Sequence, residues 1–81
     1  MSRGKYDNID INGLMREAEH SISYSAKRAI EMYYIDVYIL EPAIYLFDKA
    51  AEAYALREWE TTHCKELMLK FGMMDYPKKV V

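Results

Sequence analysis

Two glutamate–histidine steps are the residues in this chain best spaced for chemistry: Glu17-Ala18-Glu19-His20 and Glu60-Thr61-Thr62-His63. Side chains three residues apart share one face of a helix, so each step can present a carboxylate and an imidazole to one metal ion. A chain reversal near residue 41 would also bring His20 level with His63. Direction counts against such a site. Glu17 and His20 lie nearly opposite an apolar stripe through Leu14, Ala18, Ile22 and Ala29, and Arg16, Ser23 and Lys27 share their outer face. Ligands in a bundle core must point inward. Glu17, His20, Glu60 and His63 therefore stand as an alternative metal set, and the expectation is no bound metal and no cofactor.

The twin Glu-x-x-His steps resemble, in spacing alone, the carboxylate bundles of the ferritin-like proteins, where such steps on paired helices hold two metal ions. Arg57 and His63 are spaced like the Arg-x4–6-His motif of the HEPN ribonucleases, which are also helical. That resemblance would imply acid–base work on RNA, but Glu58 replaces the Asn that usually follows the Arg. The small residues from Asp48 to Leu56 are similar to one helical pair of a tetratricopeptide or MIT-like unit, with Arg57 where that repeat has its turn glycine. A second repeat is missing. The sequence contains no glycine-rich phosphate loop, nucleophile elbow or Cys–His zinc spacing. No catalytic residue is expected, and the chain reads as a non-enzyme.

The elements that would carry these residues are helices. Three Gly and two Pro in 81 residues are too few for the closely spaced turns of a strand-rich fold. Asp10 or Asn12 can cap a first helix. From Gly13 onward, Leu14, Ala18, Ile22, Ala26, Ala29, Tyr33, Val37 and Leu40 recur at steps of three and four, which predicts one helix over about residues 12–40. Glu41-Pro42 is the only internal breaker, and proline suits the first turn of a new helix. A second helix is expected over about 42–71, on Ala43, Phe47, Ala50, Ala51 and Tyr54, then Leu56, Cys64, Leu67, Met68 and Phe71. Its apolar face rotates near Arg57-Glu58, so it either supercoils or changes packing partner there. Gly72 is placed to end it in the left-handed conformation.

The predicted fold is therefore all-α: two long antiparallel helices, an αα-hairpin over 12–72, between an N-terminal tail at 1–11 and a C-terminal tail at 73–81. One long proline-kinked helix is the alternative. Asp36 falls beside the core stripe, so a bond to a tyrosine hydroxyl or to Lys49 is expected to compensate its charge.

A lone hairpin is marginal at this size. Yet apolar side chains also lie off the stripe, at Tyr24, Tyr34, Ile35, Tyr38 and Ile39, and at Tyr45, Leu46, Leu56 and Trp59. Surplus apolar surface of this kind predicts dimerisation into a four-helix bundle, with Ile35, Tyr38, Ile39, Leu46 and Trp59 as the interaction surface. The function expected is a self-associating module that scaffolds, adapts or regulates, with a second copy and an unidentified protein as partners.

The remaining classes recede. Eleven Lys and Arg against 13 Asp and Glu give a net charge of −2, without the basic excess of a dedicated nucleic-acid binder. Arg3, Lys5, Lys78 and Lys79 at the ends keep a nucleic-acid-associated protein as a further alternative. The apolar run from Met32 to Phe47 is interrupted by Asp36, Glu41 and Pro42, too short and too charged to cross a bilayer. The first ten residues do not read as a signal peptide. Cys64, the single cysteine, fits a reducing, cytoplasmic setting.

Overall fold

The computed structural model describes residues 9–40 and 46–73. Among them are four α-helices and no strand: α1 (Ile11–Ser21), α2 (Tyr24–Tyr34), α3 (Phe47–Ala53) and α4 (Glu58–Lys70). A π-helical turn over Ile35–Ile39 continues α2. The all-α expectation holds. The expected reversal at Glu41-Pro42 lies outside the described residues, as do Ala43 and Tyr45.

Each of the two long helices is instead broken in the middle. The first break is written in serines. Ile22 is extended, and the Ser23 hydroxyl accepts from the Ala26 amide at 3.1 Å, so Ser23 starts α2 as its N-cap. Periodicity hid this break because the stripe passes through it unshifted. Leu14 and Ala18 before it and Ala26, Ala29, Tyr33 and Val37 after it are all fully buried.

The second break falls over Tyr54–Arg57, at the rotation of the apolar face. Here α3 ends in a Schellman motif: the Leu56 amide donates to the Ala51 carbonyl at 2.9 Å and the Ala55 amide to Glu52 at 3.1 Å. Ala55 is left-handed, with φ of 55°. The same motif ends α4, with Met73 donating to Met68 at 2.8 Å and Gly72 to Leu69 at 3.2 Å. There the left-handed residue is Gly72, as expected, with φ of 89°.

Helix α2 is the centre of the molecule and packs against α1, α3 and α4. Its Tyr33 ring meets Phe47 of α3 edge-on, with centroids 5.6 Å apart. The core extends to both ends of the described chain. Ile9 and Ile11 pack against it, and Met73 is fully buried. At the start of α1 the Asp10 carboxylate accepts from the Gly13 amide at 3.0 Å, and the Asp10 amide donates to the Phe71 carbonyl at 3.2 Å. One residue thus caps α1 and ties it to the end of α4.

Leu40 departs from its expected place. It belongs to the stripe by spacing, yet it is 62% exposed. The π turn explains this. Its i→i+5 bond, Leu40 amide to Ile35 carbonyl at 2.9 Å, widens the helix, so each residue advances by a smaller angle. Val37 stays on the core side and Leu40 falls short of it.

Candidate interaction surface

The π turn also places aliphatic side chains on the surface. Ile35 is 48% exposed and Ile39 58% exposed, next to Leu40. Tyr38, from the same turn, is half-buried: it packs against the core, lies near-parallel to Tyr34 at 5.9 Å and meets Tyr33 edge-on at 6.1 Å. It therefore supports the ridge more than it presents a free face.

Ile35 forms part of a cleft of about 530 Å³ between α1, α2 and the end of α3. Ile11 and Met15 line it from α1, Met32 and Tyr34 from α2, and Tyr54 from the cap of α3. Its charged lining is Arg28, Glu31 and Asp36. Arg28 and Glu31 are paired at 2.8 Å, one helical turn apart. The Arg28 guanidinium is held in its charged form above its ordinary range, first by Tyr24, then by Glu31 and Tyr54. Asp36 is half-buried beside Ile35. The expected link to Lys49 is not formed among the described residues: Lys49 is exposed on α3, and Asp36 instead faces the cleft. A half-buried carboxylate at the wall of an open cleft keeps access to solvent, so no buried partner is required.

The other expected interface residues are dispersed. Trp59 is 62% exposed in the first turn of α4 and lines a separate depression with Glu58, Thr62, His63 and Glu66. Leu46 is half-buried at the start of α3. Cleft residues that the sequence did not single out are Ile11, Met15, Arg28 and Glu31, and Met32 stood out only as the start of an apolar run. A signal for them exists: Ile11–Met15, Arg28–Met32 and Glu31–Ile35 are steps of four, a second stripe beside the main one.

The two Glu-x-x-His steps are not brought together. Glu17 takes Lys70 of α4 at 3.0 and 3.3 Å, while His20 is exposed at the end of α1 and lines a surface depression of its own. His63 approaches Glu66 at 3.8 Å on α4. Glu60 is buried, and its carboxylate accepts from the Ser23 amide at 3.4 Å. Both glutamates thus serve the fold, one as an ion pair and one as a helix cap. Among the described residues no three His, Cys, Asp or Glu side chains gather as a metal site. Arg57 is exposed at the N-cap of α4, and its carbonyl accepts from Thr61.

Cys64 is fully buried on α4, and desolvation, then the nearby Glu60, push its thiol up to about 12. Such a thiol is a core side chain without nucleophilic character at neutral pH. No described helix is long and apolar enough to cross a membrane. The basic residues Arg3, Lys5, Lys78 and Lys79 lie outside the described residues. Compared with protein-family models, curated proteins and solved structures, the chain has no match, so the surface itself carries the functional argument.

Proposed function

We propose that this chain is a non-enzymatic helical interaction module whose first partner is a second copy of itself. The observation that carries the reading is the apolar ridge of Ile35, Ile39 and Leu40 beside the cleft. Three large aliphatic side chains close together on the π turn and its cap stay open to water among the described residues. Contiguous apolar surface of this kind, rimmed by charge, marks an association site. Burying it removes the cost of exposure at about 25 cal/mol per Å².

In this reading Arg28, Glu31 and Asp36 form the rim that sets orientation, and the aliphatic ridge supplies affinity. The module then acts as a scaffold, adaptor or regulatory subunit. The described residues of each chain form four α-helices, shorter than the two expected, so in this reading the dimer joins two such folds.

Light scattering across a concentration series tests the reading. Dimer at micromolar concentration, lost in Ile35→Glu and Ile39→Glu with unchanged helicity, is the result expected. A monomer throughout would overturn it.

A further inference from the structure

The break between α3 and α4 opposes its own sequence. Tyr54-Ala55-Leu56-Arg57 contains no Gly, Pro or Asn, and Ala, Leu and Arg rank among the strongest helix formers. Ala55 nevertheless sits at φ of 55°, in the region that a Cβ makes costly. The residue at the equivalent place after α4 is Gly72, where that cost vanishes. The start of α4 is no better specified. Asp10 caps α1 and Ser23 caps α2 through their side chains, whereas Arg57 makes no side-chain cap for α4. Residue preference therefore runs toward one continuous helix from Phe47 to Lys70, and the bend is held by tertiary packing with the Schellman bonds that close α3.

That packing can be made by another copy. Polar contacts that dock α4 include Glu60 to the Ser23 amide, Lys70 to Glu17, Lys65 to Asp48 at 3.0 Å, and the Phe71 carbonyl to the Asp10 amide. Each joins α4 or its end to α1, α2 or α3, so each re-forms if α4 docks on a neighbouring chain. We propose that Tyr54–Arg57 is a hinge that straightens, and that two copies exchange α4. Strained hinge loops invite this exchange, since the native contacts are kept and the strain is lost. A straight helix of about 24 residues would run ~36 Å at 1.5 Å per residue. The described fold is 34 Å along its longest axis. Straightening therefore carries α4 clear of its own body.

The hinge also adjoins the self-association surface. Tyr54, its first residue, forms one wall of the cleft that holds Ile35. Two straightened helices crossing at their hinges would meet beside that cleft. The inference rests on the self-association reading above and specifies how the second copy attaches.

A zero-length carbodiimide link between Lys70 and Glu17, whose charged groups lie 3.0 Å apart, tests it. Isotopically light and heavy full-length chains are mixed, unfolded, refolded together and separated by size. Exchange predicts Lys70–Glu17 links joining light to heavy chains in the dimer fraction. Ala55→Gly, which relaxes the bend, lowers the dimerisation constant about tenfold per hinge. A dimer linked only within single chains, or one indifferent to Ala55→Gly, overturns the exchange and leaves self-association standing. Absence of any dimer overturns both.

Discussion

Glu60 completes the N-terminal cap at Ser23, 37 residues earlier in the chain. The Ser23 hydroxyl accepts from the Ala26 amide, and the Glu60 carboxylate accepts from the Ser23 amide at 3.4 Å. In a capping box the second bond comes from a glutamate three residues after the cap. That place in α2 is Ala26, which is fully buried in the core. The carboxylate is supplied from α4 instead, so one bond both caps α2 and fixes α4 against it.

Glu60→Ala is expected to cost about 1–2 kcal/mol, the usual worth of a lost cap with its helix-dipole contact. Denaturant unfolding measures it. Glu60→Gln keeps an acceptor oxygen without the charge and should lose less. Equal stability of all three proteins would show that the Ser23 amide is satisfied by water.

The paired Schellman motifs predict opposite effects of the same chemical change. Ala55→Gly relieves a left-handed Cβ and should stabilise the monomer by about 1 kcal/mol, raising Tm by roughly 4–8 °C. Gly72→Ala imposes that Cβ and should cost about 1–2 kcal/mol. Thermal melts at low concentration compare the two. A loss of stability in Ala55→Gly would remove the argument from strain.

Gly13→Ala sets helix propensity against sterics. Alanine gains about 1 kcal/mol over glycine inside a helix. A Cβ at Gly13, however, would collide with the Asp10 carboxylate and press on the Phe71 ring at 3.0 Å. Displacing Asp10 removes the α1 cap, worth about 1 kcal/mol, and disturbs Phe71 besides. Sterics should win, and the melting temperature should fall.

Cys64 predicts a pH dependence with a definite sign. Its folded pKa, about 12, lies above the ordinary 9.0, so the folded state disfavours the thiolate. The stabilisation is complete below pH 9 and is lost as pH rises toward 12, because the unfolded chain releases the proton first. Relative to Cys64→Ala, the wild-type advantage should shrink across that window. A constant difference would mean that the thiol ionises equally in both states.

Much of this fold was legible in the sequence. Leu14, Ala18, Ala26, Ala29, Tyr33, Val37, Phe47, Ala50, Cys64 and Met68 announce burial by spacing, and all are buried. Asp10 and Gly72 announce the ends of the first and last helices by their own conformational chemistry. The break at Ser23 was hidden because its core stripe continues through it. The bend at Ala55 could be read only as a rotation of the apolar face, since its residues favour helix and tertiary packing imposes the turn. Leu40 was misplaced by a π turn that periodicity at 100° per residue does not register. The cleft was obscure for a different reason: its walls come from three elements, and only the fold brings Met15, Ile35 and Tyr54 together.

Sedimentation equilibrium, run from below to above micromolar concentration on the wild type and on Ile35→Glu, tests self-association most directly. Ile35 is half exposed on the π turn and outside the core, so the substitution leaves the monomer fold intact. The account predicts a wild-type mass rising from 9.6 kDa to twice that value, and an Ile35→Glu mass fixed at 9.6 kDa. A wild-type mass that stays at 9.6 kDa, or a variant that dimerises equally well, would contradict it.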